Sequence, residues 1–156
     1  MERSNKDIRI IARNRKARHD YHIEATVEAG LELRGSEVKS LREGKINLSD
    51  SYALVENGQV FLRNLHISPY KMAAEPLDPI RTRRLLLHKR EIRKLAVRTL
   101  QRGMTLVPLS IYFKGPYAKV ELGLGFGRKK HDKRQRIAQA EADKKMRRAV
   151  QRDLKR

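Results

Sequence analysis

MTLVPLSIYF (104–113), KGP (114–116) and YAKVELGLGF (117–126) form the stretch whose pattern decides the fold. In the first run Thr105, Val107, Leu109, Ile111 and Phe113 alternate with their neighbours; in the second Ala118, Val120, Leu122, Leu124 and Phe126 do so. Such alternation marks a strand with one buried face, because successive side chains leave a pleated backbone on opposite sides. Two runs joined by Lys114-Gly115-Pro116 predict an antiparallel hairpin with one face on a core and the other wet. Pro108 has no N–H to give a ladder, so its strand is an edge or carries a bulge there. At GRKKHDKR (127–134) the alternation stops, and a folded body gives way to a basic tail.

Upstream, YHIEATVEA (21–29) sets Ile23, Ala25 and Val27 against His22, Glu24, Thr26 and Glu28, a second half-buried strand. Order is expected to begin at Tyr21, with residues 1–18 a charged arm bearing one apolar patch (Ile8, Ile10, Ile11). From Gly35 a short helix is predicted: Ser36 can cap, Glu37 suits the positive end, Val38 and Leu41 share a face, and Gly44 stops it. SYALV (51–55) and VFLRNL (60–65) flank Asn57-Gly58, a strong hairpin signal because both turn residues adopt positive φ. His66–Tyr70 extends or bends that edge, and residues 71–84, with Pro76 and Pro79, read as a loop.

RRLLLHKREIRKLAVRTLQRG (83–103) holds the one long helix. His88 stands at the N-cap, Glu91 three residues on. Ile92, Leu95, Ala96, Thr99 and Leu100 make one face, and Gly103 ends it. The other face, with Arg90, Arg93, Lys94 and Arg98, reads as solvated. About six strands, one short and one long helix, and no βαβ rhythm give a mainly β (α+β) fold. The expected architecture is a small, closed or partly open barrel of OB type with the helices packed on it, a shape that suits nucleic acid.

The 156-residue chain carries a formal net charge of +19. Residues 1–18 contribute +5, residues 128–156 contribute +9, and the 109 residues between them only +5. Cations gathered on the two ends are the footprint of a polyanion binder. Cysteine is absent, which excludes a disulfide framework and fits a reducing, cytoplasmic setting. No apolar run approaches ~18 residues, the N-terminus lacks a signal-like apolar stretch, and neither basic end has the apolar face of a membrane-surface helix. From Asp132 onward there is neither Gly nor Pro; Ala138, Ala142, Met146, Val150 and Leu154 recur every four residues. That stripe is thin, so the tail is expected to fray alone and to become helical against phosphates.

Catalytic chemistry finds no support. His19 and His22 lack further ligands for a tetrahedral metal site. Gly123-x-Gly125-x-Gly127 departs from dinucleotide-loop spacing and reads as a strand end that admits close backbone approach. No P-loop or nucleophile elbow occurs, so neither an enzyme nor a cofactor is expected. What remains is binding: phosphate neutralisation by Lys and Arg, with stacking on Tyr52, Tyr70 or His131, although core packing is the better account of any single tyrosine. From these features alone a ribosomal protein or rRNA-binding chaperone fits as well as any other RNA binder.

NRKARHDYHIEATVEAGLELRGSEVKSLREGKINLSDSYA (14–53), LRNLHISPY (62–70), RTRRLLLHKREI (81–92) and GRKKHDKR (127–134) closely resemble the small protein B (SmpB) family, in the same order. The resemblance implies an OB-like barrel (residues 14–127) behind a basic arm (1–13) and ahead of a basic tail (128–156). It implies binding to the tRNA-like domain of tmRNA, delivery with elongation factor Tu, and rescue of stalled 70S ribosomes with the tail in the empty mRNA channel against small-subunit rRNA. Neither DNA nor membrane would be a partner. Carried over by matching positions, RNA contacts fall to Asn14, Arg15, Lys16 and Arg18; to Glu28 with Leu86 and His88; and to Lys39, Arg42, Lys119, Lys129 and Lys130. His131, Asp132, Lys133 and Arg134 would engage the decoding centre. This chain departs from the family pattern at His88 (commonly Asn), Phe126 (commonly basic) and Ala142 (commonly aromatic).

Overall fold

The computed structural model describes residues 7–154, and the side chains of all of these except 129–133. In chain order the elements are β1 (Ile8–Arg13), α1 (Arg15–Asp20), β2 (Tyr21–Leu31), α2 (Gly35–Arg42), β3 (Ile46–Asn47), β4 (Tyr52–Glu56) and β5 (Gln59–Arg63). They continue with β6 (His66–Ile67), β7 (Arg83–Leu86), α3 (Lys89–Leu100), β8 (Thr105–Lys114), β9 (Tyr117–Gly127) and α4 (Arg128–Leu154). The sheet runs β1-β8-β4-β5-β7-β2-β9, and a further pairing of β9 with β8 closes the six strands from β8 to β9 into a barrel. The fold is OB-like and α+β, as the alternation predicts. Closure pairs the edges that an open sheet would present, except along the second half of β8, which β1 covers.

The barrel interior is filled by Val60, Leu62, Leu85, Leu106, Ile111, Val120, Leu122 and Leu124, with Leu41 of α2 and Leu95 of α3 in the same cluster. Asn57 (φ 51) and Gly58 (φ 71) both turn left-handed between β4 and β5, the geometry expected of a two-residue hairpin. In α2 the N-cap is Arg34 rather than Ser36; the Glu37 carboxylate accepts the Arg34 N–H at 2.9 Å.

Several expectations give way to tertiary effects. Residues 8–13 are not an arm: β1 pairs antiparallel with the second half of β8, and α1 follows before Tyr21. Six residues cannot hold a strand alone, so only the edge offered by β8 orders them. Residues 83–86, read as part of the lead-in to α3, form β7 and sit between β5 and β2. His66–Ile67 pairs with Ile46–Asn47 in a separate two-stranded ladder instead of prolonging the β5 edge. Leu100, assigned to the inner face of α3, is exposed, while Leu95 alone on that helix is buried. His88 is the N-cap of α3 but makes no side-chain cap bond.

The opening hairpin also differs in phase. A bulge at Leu109, between Pro108 and Ser110, shifts β8 by one residue against β9. Before it Leu106 points inward; after it Ile111 and Phe113 do. Val107 and Leu109 therefore lie on the outside, where Ala17 of α1 covers them together with Tyr21 and Ile23. A matching bulge in β2 between Ile23 and Ala25 puts Ile23 outside and Ala25 inside. Opposite it stands Gly125: a Cβ there would come within 1.9 Å of the His22 carbonyl oxygen, which is the close approach its sequence context suggested.

Candidate RNA-binding surface

Asn14 ends β1 and caps α1. Its Oδ1 accepts the Ala17 N–H at 3.1 Å, and its Nδ2 donates to the Pro108 carbonyl at 3.1 Å and the Leu48 carbonyl at 3.4 Å. Buried and saturated in this way, Asn14 is not itself a free contact. It fixes the helix that presents Arg15, Lys16 and Arg18, all three exposed. Arg18 reaches Glu121 at 3.5 Å. Ile10, Arg13, Arg15, Arg18, Ser110 and Glu121 line a cleft of about 390 Å³ on this side of the barrel.

Next to it lies the outer face of β8, β9 and β2. Glu28 stands opposite Glu121, and Lys119 stands opposite both Gly30 and Tyr112. The Tyr112 hydroxyl donates to Glu28 Oε2, and Lys114 Nζ lies 3.5 Å from Oε1. The Tyr112 hydroxyl holds the Glu28 carboxyl below its usual 4.5; burial pushes the other way, and Lys114 and Lys119 add to the lowering. Burial, then the Glu28 carboxylate, pushes the Tyr112 phenol up from its usual 10. Glu28 is thus an anion at neutral pH inside a cationic surface, an acceptor rather than a phosphate binder. Leu86 pairs with Gly30, two residues along β2 from Glu28, and is exposed. Gly30 permits this, since a Cβ there would sit 3.1 Å from the Leu86 Cβ. His88 is exposed at the start of α3.

Lys39 and Arg42 project from α2. The Lys39 ammonium sits 5.2 Å from the centroid of the Tyr70 ring, and the Arg42 guanidinium 5.7 Å from that of Phe113. The pose of α2 is set from below by an ionic network that the sequence reading missed. Glu37 accepts from Arg83 Nε at 2.6 Å and from Arg81 Nε at 3.1 Å, and Arg83 also donates to the carbonyls of Leu65 (2.7 Å) and Pro79 (3.1 Å). Glu37 and Arg83 are only 4% and 1% exposed. Burial raises the Glu37 carboxyl, yet hydrogen bonds from Arg81, the Arg34 N–H and Arg83 outweigh it and hold the group below 4.5. In the sequence Arg83 is one more basic residue of the 71–84 loop; it lies 46 positions from Glu37, and no local signal joins them.

From Gly127 the chain passes directly into α4. The helix runs unbroken through Leu154. Isolated helices are limited by the cost of the first turn, and here β9 supplies an anchored start. Arg128 donates to the Arg18 carbonyl at 3.2 Å, and the Arg134 guanidinium lies 5.7 Å from the Phe126 ring centroid. Beyond this base the helix runs clear: every described side chain from 134 to 154 is exposed, including Ile137, Met146, Val150 and Leu154. The expected contacts Lys129, Lys130, His131, Asp132 and Lys133 lie on the α4 backbone but outside the described side chains. Among the described residues no cluster of three His, Asp or Glu could hold a metal ion, and no helix is long and apolar enough to cross a membrane.

A closed OB-like barrel with cations along its outer strands, one ionised acceptor among them and a basic helix projecting from its rim defines a polyanion-binding α+β barrel. Its relatives agree with one another. The family model described as "SmpB protein" matches residues 11–152, and the chain belongs to that family. An SsrA-binding protein of Halothermothrix orenii is 61% identical over 144 residues, covering 92% of this chain and 93% of that one. One from Caldicellulosiruptor bescii is 52% identical and covers 99% of this chain and 100% of its own. A solved chain from work on tmRNA–SmpB at the centre of the bacterial ribosome superposes with a TM-score of 0.63 at 53% identity, over 74% of this chain and 82% of that chain.

Proposed function

We propose that the barrel binds the tRNA-like domain of tmRNA. In this reading α4 then enters the empty mRNA channel of a stalled small subunit, so that the ribosome is rescued and the nascent peptide tagged. The observation that carries the reading is the division between body and limb: α4 leaves the rim with its described side chains exposed, so the barrel needs none of them for its core. The dense positive charge on residues 128–156 suits a groove lined by RNA, and the names of the relatives support tmRNA as the first ligand.

Arg15, Lys16 and Arg18 then neutralise phosphates beside α1, and Glu28, Leu86 and His88 meet the elbow of the RNA. Lys39, Arg42 and Lys119 add backbone contacts, with Lys129 and Lys130 at the root of the tail. His131, Asp132, Lys133 and Arg134 face the decoding centre, and elongation factor Tu travels with the complex. Truncation after Gly127 tests the division. Affinity for the tRNA-like domain should be largely kept while peptide tagging on stalled ribosomes is lost. Equal loss of both activities overturns the proposal.

A further inference from the structure

The acceptor at Glu28 is held from two strands away. Tyr112 belongs to β8 and Glu28 to β2, with β9 between them, so the two side chains together bridge roughly 9.6 Å of sheet, two inter-strand spacings. It passes over β9 at Lys119, its cross-strand partner, and is 7% exposed. We propose that Tyr112 is the positioning residue of the RNA-binding surface. By occupying Oε2 of Glu28 it fixes the carboxylate, so that Oε1, reached by Lys114 Nζ at 3.5 Å, is held in place with a lone pair left for a donor on the RNA. This rests on the proposed role of Glu28 in RNA binding and deepens it.

The chemistry limits the RNA group concerned. A carboxylate repels phosphate, so its useful partners are N–H and O–H donors: a ribose 2′-hydroxyl, or the imino and amino hydrogens of a base edge. Lys114, 3.5 Å from Oε1, and Lys119, on the strand between, stand ready for the flanking phosphates. A carboxylate free to rotate could turn both oxygens to these lysines. With Oε2 tied to a buried phenol, only Oε1 meets Lys114, and its second lone pair stays open. No residue type near Glu28 in sequence signals this, because Tyr112 is 84 positions away.

Tyr112→Phe removes one oxygen and keeps the ring. Affinity of the full chain for the tRNA-like domain should fall about tenfold, as for loss of one hydrogen bond to a charged group. Glu28→Gln should weaken binding as well, and the double variant should bind as weakly as Glu28→Gln alone. The groups facing Glu28 are Tyr112 and Lys114 of β8 and Lys119 and Glu121 of β9. Of these only the phenol changes, so the Glu28 carboxyl, followed by carbon-13 NMR, should titrate higher in Tyr112→Phe than in the unaltered protein.

Each departure has one meaning. Unchanged binding by Glu28→Gln sinks the role of Glu28 itself. Weak Glu28→Gln with normal Tyr112→Phe, or effects that simply multiply in the double variant, sinks the role of Tyr112. Should Tyr112→Phe melt early, the unaltered protein still decides: a Glu28 carboxyl titrating at its usual 4.5 overturns the proposal.

Discussion

Glu37→Gln is the perturbation whose cost can be worked from the structure. The side chain keeps its size, so no cavity opens, but the negative charge is removed from a site where Arg83 has 0% of its side chain exposed. The amide can still accept from the Arg34 N–H, while its NH2 group has to face a guanidinium. Leaving one member of a buried ion pair uncompensated costs about 3–5 kcal/mol. With a urea m-value of about 2 kcal/mol per molar, the midpoint of unfolding should drop by about 2 M. Glu56→Gln is the control: its pair with Arg63 is half exposed, and the change should cost no more than about 0.5 kcal/mol. The pH dependence carries a sign as well. A carboxyl held below its unfolded value of 4.5 contributes stability that is fully present above that value and lost as pH falls through the folded one. The gap between unaltered protein and Glu37→Gln should therefore be constant near neutrality and close in acid. A cost under about 1 kcal/mol at pH 7, or a gap that stays open throughout the acid range, would mean that the Glu37–Arg83 pair does not hold the fold in this way.

Gly125→Ala should destabilise the barrel by about 3 kcal/mol or more, since its Cβ would collide with the His22 carbonyl, whereas Gly127→Ala, with open space around it, should stay within about 0.5 kcal/mol; thermal melts compare the two. Phe126→Ala should free the Arg134 guanidinium and loosen the first turns of α4 by about 0.5–1 kcal/mol, read as faster amide exchange near residue 134, beside a separate loss of barrel stability because Phe126 also packs against the core. Binding to the tRNA-like domain should weaken steeply as salt rises, because several cations act through counterion release; a flat salt series would contradict phosphate contact. Removing the exposed charge of Arg15 should lower that salt slope by about one unit without selectivity among RNAs of the same shape.

Much of the fold was legible because the signals are local. The Asn57-Gly58 turn, the α2 and α3 boundaries, the β8–β9 hairpin and the change of character at Gly127 each follow from a few adjacent residues. Features that depend on a partner far along the chain leave no such local mark. β1 and β7 are too short to hold by themselves, and both owe their existence to strands that flank them in space. The bulges in β8 and β2 reverse which alternate residues face inward, and period-two counting cannot anticipate a one-residue slip except where Pro108 hints at it. The candidate surface divides in the same manner: exposed Arg15, Lys16, Arg18, Lys39 and Arg42 were visible as charge, but the burial of Asn14, Arg83 and Tyr112 was not.

The residues alone fixed β2, the β4–β5 and β8–β9 hairpins, α2 and α3, the placing of excess charge at the ends, and the family through its long motif strings. Only the tertiary structure decided which polar groups are tied down inside and which are offered to a ligand. Charge is a property of each residue and can be counted along the chain. Burial and hydrogen-bond partnership belong to pairs, here 46 and 84 positions apart, and exist only once the barrel has closed.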